Sequence, residues 1–191
     1  MRPPGLILAG GLARRMGGGD KARLRVAGQP LIRHVIDRLG PQVSSLLLNA
    51  NGDAARWDDL ALPVLPDPMP GHPGPLAGVL AGLDWAAAQG QTAIVTAAAD
   101  TPFLPLDLVE RLQAVAGPSG LALAATADGP QPTFGLWPAH LRDDLRTALD
   151  GGLRKITNWT DRHGVGLASF SQDAFFNINT PADLKAAEAL A

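Results

Sequence analysis

The 191-residue sequence contains no cysteine, which excludes disulfide staples, thiolate metal sites and a thiol nucleophile together. An oxidising compartment is therefore not required. Like charges never gather into a run: 16 Lys and Arg against 18 Asp and Glu leave a formal net charge of −2, without the basic stripe that tracks a phosphate backbone. Nucleic acid is not an expected partner. Long apolar runs are missing too. The first one, Leu6 to Ala9 after Met-Arg-Pro-Pro-Gly, is too short for a signal-peptide core and falls far below the roughly 20 residues of a membrane span. No membrane association is expected, and the expected location is the cytoplasm. Aromatic residues are few and scattered, with 4 Trp and 5 Phe, and mark no interface patch, so a monomer is expected.

What the chain does have is enough apolar material, 46% of its residues, to bury a real core at about the length of one domain. Its 22 Gly and 17 Pro sit singly between periodic segments as turn punctuation. A single domain over residues 1–191 is the expectation, with no internal repeat or linker.

Leu6 to Ala9 reads as a buried strand running into Gly10-Gly11, and the loop that follows extends to about Ala22. After the turn Ala27 to Pro30, helical spacing of Leu31, Val35 and Leu39 ends at Gly40-Pro41. Val43 to Asn49 and Leu62 to Leu65 read as further buried strands. A helical stripe through Leu76, Leu80, Leu83 and Ala87 precedes a strand at Thr92 to Ala99, and a helix through Leu108, Leu112 and Val115 follows it. In the second half, strands are expected at Leu121 to Ala127, Thr133 to Trp137 and Val165 to Phe170, with a helix through Leu141, Leu145 and Leu149. Thr180-Pro181-Ala182-Asp183 has the form of a capping box opening a last helix. Alternating strands and helices predict an α/β fold, Rossmann-like, with three α/β/α layers around a mostly parallel sheet. Ligands bind such sheets beyond the carboxyl ends of their strands, where Gly10-Gly11, Asn49, Asp67 and Asp100 fall.

Three stretches carry chemistry. Residues 8–21, with glycines at 10, 11 and 17–19 and cations Arg14, Arg15 and Lys21, are suited to phosphates: glycines expose backbone N–H groups, and cations add charge-assisted hydrogen bonds. The stretch is not a P-loop, because Lys21 is followed by Ala22 instead of Ser or Thr. Gly17 to Ala22 meets the dinucleotide pattern by letter only, since it begins several residues after the strand. A solvated surface loop is the plainer alternative. Asp100-Thr101-Pro102 places a carboxylate after the longest apolar strand, which suffices for magnesium when phosphates complete the shell; helix capping is the alternative role. Pro73 to Gly78 puts Gly74 and Gly78 at and just inside a helix start, where a base or ribose can lie against backbone, or where simple turn chemistry is served.

Taken together, Leu8-Ala9-Gly10-Gly11, Arg15-Met16-Gly17-Gly18, Asp20-Lys21, Pro73 to Gly78, Asp100-Thr101-Pro102 and Asn177-Ile178-Asn179-Thr180-Pro181 resemble the molybdenum cofactor guanylyltransferase family. The resemblance spans nearly the whole chain and implies the nucleotide-diphospho-sugar transferase type of fold. It implies that GTP and molybdenum-bearing molybdopterin yield the guanine dinucleotide cofactor and pyrophosphate, with Mg2+. It implies guanine and ribose contacts at Leu8, Ala9, Gly10 and Gly11, a triphosphate contact at Lys21, further GTP contacts at Asn49 and Asp67, and a magnesium ligand at Asp100. It also implies that Arg15 and Lys21 stabilise developing charge, and that Asn177 and Asn179 lie toward molybdopterin. On this reading the N-terminal half binds GTP and the C-terminal half molybdopterin, where Arg154 and Lys155 resemble a basic pair of the family, a solvated helix face being the alternative. Ala99 stands where some relatives have Cys. His34, His72, His140 and His163 show no metal-ligand spacing. A cytidylyltransferase acting on the same pterin is the nearest rival; such relatives tend to read Leu-Ala-Ala-Gly where Gly10 stands here. A non-catalytic GTP-binding adaptor, and transient contacts with delivery or acceptor enzymes, remain open at this point.

Overall fold

The computed structural model describes residues 1–10, 20–70 and 74–189. The chain begins with β1 (Gly5–Leu8) and, after the glycine-rich stretch, makes a 3-10 turn at Lys21–Arg23 and a small antiparallel hairpin, β2 (Arg25–Val26) with β3 (Gln29–Pro30). Then come α1 (Leu31–Leu39), β4 (Leu46–Asn49), a 3-10 segment at Ala54–Leu60, β5 (Val64–Leu65), α2 (Pro75–Ala88), β6 (Ala93–Ala98) and α3 (Leu108–Val115). The second half holds β7 (Ala122–Thr126), β8 (Gly129–Pro138), α4 (Arg142–Asp150), α5 (Ile156–Thr160), β9 (Gly166–Ser169) and α6 (Pro181–Glu188).

The sheet has seven strands in the order β5-β4-β1-β6-β8-β7-β9. All its strands run parallel except β8, which is antiparallel to both β6 and β7. The sequence expectation of a mostly parallel sheet is thus met, with β8 as the exception. β8 is also longer than the expected Thr133 to Trp137, because Gly129, at φ +116°, closes a tight turn that lets it pair back on β7. The expected strand at Val43 to Asn49 begins only at Leu46; Val43 and Ser44 follow a 3-10 turn and hydrogen-bond to it and to Pro3.

Alternation along β1 divides the core in two. Ile7 faces a cluster with Ile32, Val35, Leu48 and Leu112, so α1 and α3 cover one face, while Leu6 and Leu8 face Leu76, Leu80, Trp137 and Trp159, so α2, α4 and α5 cover the other. Helix α2 is apolar nearly all round because sheet and α4 bury it from both sides. Its small residues set how close it comes: a Cβ on Gly82 would lie 2.5 Å from Ile94 Cδ1 and 2.8 Å from Leu6 Cδ2. One buried indole N–H and one buried hydroxyl in this core satisfy each other. Trp137 Nε1 donates to Thr96 Oγ1 at 2.8 Å, and that hydroxyl donates to the Thr133 carbonyl at 2.9 Å. A third, smaller cluster joins the chain's two ends: Ile178 and Ala187 pack with Val26 and Leu31, so α6 rests on the β2–β3 hairpin.

Gly82→Ala is expected to destabilise the protein by about 1–3 kcal/mol through overpacking. Urea unfolding would read this as a lower midpoint at unchanged slope.

Candidate active site

The carboxyl ends of β1, β4 and β6 lie side by side, with Leu8 opposite Asn49 on one side and Ala98 on the other. Here strand order reverses, since the chain goes from β1 outward to β4 and β5 and then crosses to β6, which leaves a crevice. A cavity of about 310 Å³ opens there. Among the sequence-predicted residues, Leu8, Gly10, Asn49, Asp67, Gly74, Asp100 and Asn177 line it, joined by Asn51, Pro75, Ala98 and Thr133. Ala9 and Lys21 line a small adjoining recess with Asp100. Gly11 and Arg15 lie outside the described residues.

Of the four glycines predicted here, the three described ones serve different purposes. Gly74 caps α2 at φ +88°, a conformation that favours glycine, and Pro75 takes the first helical position, where its missing N–H costs nothing. Gly78 faces protein instead of ligand: a Cβ there would lie 2.3 Å from Asn49 Oδ1 and 2.8 Å from Leu8 Cδ2. Its role in the site is to let Asn49 lie against α2. At Gly10, which lines the cavity, a Cβ would meet no described atom within 4 Å.

Lys21 is the centre of the polar arrangement. Its ammonium is buried and donates to Asp100 Oδ2, to Asn177 Oδ1 at 3.0 Å and to Asn179 Oδ1. Asp100 does not cap a helix; α3 begins after Asp107. Asn177 and Asn179, expected to lie toward molybdopterin, both reach the lysine that follows the glycine-rich stretch. Ile178 N–H, between them, donates to the Asp100 carbonyl at 3.1 Å. The oxygens on Lys21 are hard donors, the kind magnesium takes, so the residues fit a Mg2+ ion. Among the described residues no group of three or more His, Cys, Asp and Glu could hold a metal alone, so phosphate oxygens and water would complete its shell.

A network that the sequence reading did not single out anchors the approach to Lys21. Arg56 grips both carboxylate oxygens of Asp20, at 2.8 and 2.7 Å, and Arg23 those of Asp59, at 2.7 and 2.6 Å. The Arg23 hydrogen bond holds the Asp59 carboxyl below its ordinary range. Both guanidinium groups lie over the ring of buried Trp57, 4.6 and 5.6 Å from its centroid. No motif marks this 3-10 segment; the only signal was an acid beside Lys21 and arginines within reach of it in the fold.

Arg154 and Lys155 line a second recess of about 270 Å³, which shares Pro75 and Thr133 with the first. His34 bonds the Val26 carbonyl and His163 bonds Asp144, both away from the cavity, and His72 lies outside the described residues. Another cavity, also about 310 Å³, opens at the opposite end of the sheet, between Pro3, Gln91 and Pro138; its lining includes no carboxylate and no lysine.

A molybdenum cofactor guanylyltransferase of Bradyrhizobium sp. (strain ORS 278) is 53% identical over 196 residues, which span 98% of this chain and 92% of that protein. This chain belongs to the molybdenum cofactor guanylyltransferase family. A second member, from Cereibacter sphaeroides, is 51% identical over 100% of this chain and 97% of its own length. The MobA-like NTP transferase domain matches residues 5–165. Among solved structures, molybdopterin-guanine dinucleotide biosynthesis protein A from Archaeoglobus fulgidus aligns with a TM-score of 0.75 at 26% identity, covering 98% of this chain and 97% of that one. A 4-diphosphocytidyl-2C-methyl-D-erythritol synthase from Anaerococcus prevotii shares the fold, with a TM-score of 0.74 at 13% identity. The family member described here is a nucleotidyltransferase with the α/β fold of its class.

The α6 cap fixes one partner of Lys21. Asp183 Oδ2 accepts from the N–H groups of Asn179 and Thr180 at 2.9 and 2.8 Å, and Thr180 Oγ1 accepts from Asp183 N–H at 3.2 Å. The Asn179 N–H is the main cause that holds the Asp183 carboxyl below its ordinary value, with Thr180 and the Lys21 charge adding to it. A folded value below the unfolded one means that the stabilisation is present above the unfolded value and is lost as pH falls through the folded one. Asp183→Ala is therefore expected to melt lower than the wild type near neutral pH, and the gap is expected to close as pH falls below about 3.8. Thermal unfolding of both proteins across that range checks it; a gap unchanged in acid would refute the role of the ionised cap.

Proposed function

We propose that this protein transfers GMP from GTP to the terminal phosphate of molybdenum-bearing molybdopterin, forming the guanine dinucleotide cofactor and releasing pyrophosphate. The observation that carries the reading is the convergence of Asp100, Asn177 and Asn179 on the Lys21 ammonium at the mouth of a cavity lined by Leu8, Gly10, Asn49 and Asp67. The relatives named molybdenum cofactor guanylyltransferase, near 50% identical over almost the whole chain, supply the substrates.

In this reading the base and ribose occupy the cavity against Leu8, Ala9 and Gly10, with Gly11 beside them and Asn49, Asp67 and Gly74 on its wall. The triphosphate runs toward Lys21 and Arg15. Pterin takes the recess of Arg154 and Lys155, which meets the cavity at Pro75 and Thr133, so that the two substrates approach across a shared wall. The terminal phosphate of molybdopterin is already anionic at neutral pH and needs no general base; positioning and charge stabilisation account for the rate. Asp100 would hold a Mg2+ ion, which would supply charge neutralisation on phosphate oxygens. The positive charge of Lys21 offsets the negative charge that builds at the α-phosphorus and on departing pyrophosphate, and Arg15 adds a second cation. Asn177 and Asn179 keep the ammonium aimed at that position. The protein acts as a monomer in the cytoplasm, with neither nucleic acid nor membrane as partner; among the described residues no helix is long and apolar enough to cross a membrane.

Gly10 favours guanine over the cytidylyl alternative, because among the described residues nothing lies within 4 Å of where its Cβ would stand and the base edge is left open. The test is pyrophosphate release from GTP and from CTP with molybdopterin supplied. GTP alone is expected to turn over, CTP alone would establish the cytidylyl reading, and GTP binding without release would establish the adaptor. Asp100→Asn, which keeps the side chain's size, is expected to lower turnover by on the order of 10²–10³-fold with the fold intact by circular dichroism. Unchanged turnover and magnesium dependence would refute its role.

A further inference from the structure

Asn51 belongs to none of the sequence motifs above, yet its side chain makes two hydrogen bonds to a single residue of the site. Its Oδ1 accepts from the Asp67 backbone N–H at 2.9 Å, and its Nδ2 donates to Asp67 Oδ2 at 2.8 Å. Asn49 completes the arrangement: Nδ2 donates to Asp67 Oδ1 at 2.9 Å and to the Leu65 carbonyl at 3.0 Å. Each carboxylate oxygen of Asp67 thus has one amide donor, and the plane of the group is fixed from both ends. An ionised carboxylate offers about four acceptor positions, so each oxygen retains capacity for one more donor. Asp67 and Asn51 both line the cavity, and no Lys, Arg or His is among the described residues lining it. An occupant that satisfies this wall must therefore bring paired donors of its own.

We propose that Asn51 is the positioning residue for base selection: it holds the Asp67 carboxylate so that both oxygens accept, one from the N1–H and one from the exocyclic N2 amine of guanine. Among the common bases only guanine presents two adjacent donors on that edge. Adenine and cytosine place a ring-nitrogen acceptor beside their single amine, and that lone pair would face carboxylate oxygen. Discrimination therefore comes from repulsion of the wrong base as well as attraction of the right one. Without Asn51 the Asp67 side chain keeps only the Asn49 contact and can rotate, so the paired geometry is lost while the charge remains. The inference rests on the reading of this cavity as the GTP site.

The experiment is calorimetric titration, with Mg2+ present, of wild type and Asn51→Ala with GTP, with inosine triphosphate, which lacks the exocyclic amine, and with 2′-deoxy-GTP. Wild type is expected to favour GTP over inosine triphosphate by roughly 10- to 100-fold, the worth of one hydrogen bond to a charged acceptor. In Asn51→Ala that ratio is expected to fall toward one while the ratio of GTP to 2′-deoxy-GTP stays as in wild type. A packing role alone would weaken all three nucleotides alike, and an undiminished GTP preference in the variant would overturn the proposal. A change confined to 2′-deoxy-GTP would assign Asp67 to the ribose and overturn it as well. If wild type, folded by circular dichroism, binds no GTP, the parent reading fails instead, so the two failures are distinguishable. Should Asn51→Ala not fold, Asn51→Ser, which keeps one hydroxyl for Asp67, is expected to show the same fall in the ratio to a smaller degree, and an undiminished ratio there overturns the proposal equally.

Discussion

The site depends on one buried ammonium group. Removing an ion from water costs several kcal/mol unless partners compensate, and Lys21 finds them only when distant stretches of chain are brought to it. Asp100 arrives from the end of β6, while Asn177 and Asn179 arrive from the segment between β9 and α6. Much of the surrounding structure serves that meeting. The Ile178 N–H ties its segment to the Asp100 carbonyl, the Thr180–Asp183 box fixes the Asn179 backbone, and α6 leans on the hairpin that follows the lysine. Arg56, through Asp20, holds the neighbouring residue from the other side. On the proposed reading, a cation so enclosed marks the place where phosphate charge is to be received.

Glycine and asparagine divide the remaining work. Gly74 meets a backbone requirement and Gly78 a packing requirement set by Asn49, while Gly10 meets neither among the described residues and lines the cavity. The asparagines are not interchangeable either. Asn49 and Asn51 hold an acid through their amide nitrogens, whereas Asn177 and Asn179 hold a base through their amide oxygens.

What could be read from the sequence follows from which elements have local causes. The strands β1 and β6, the helices α1, α2 and α3, and the α6 capping box came from periodicity and punctuation that act over a few residues. The antiparallel course of β8 depends on which neighbour it pairs with, and apolar residues in a doubly covered strand read alike in either direction. Helix α5 and the Ala54–Leu60 segment are too short to show a period, and the hairpin β2–β3 passed as a plain turn because each strand has only two residues. In the site, residues at strand ends were legible because topology places ligands there. Asn51 was not, because its importance lies in a clasp on Asp67, 16 positions further along the chain. The role of Asn177 and Asn179 toward Lys21 was hidden by a separation of more than 150 positions.

That separation also bears on the entropy of assembling the site. Joining Lys21 to Asn177 and Asn179 closes a loop of more than 150 positions, yet each doubling of loop length adds only about 0.6 kcal/mol to the closure cost. Within the folded sheet most of that loop is closed by other pairings, because β9 ends at Ser169, a few residues before the first asparagine. The oxygen cage therefore costs little more than the ordering of one short connecting stretch.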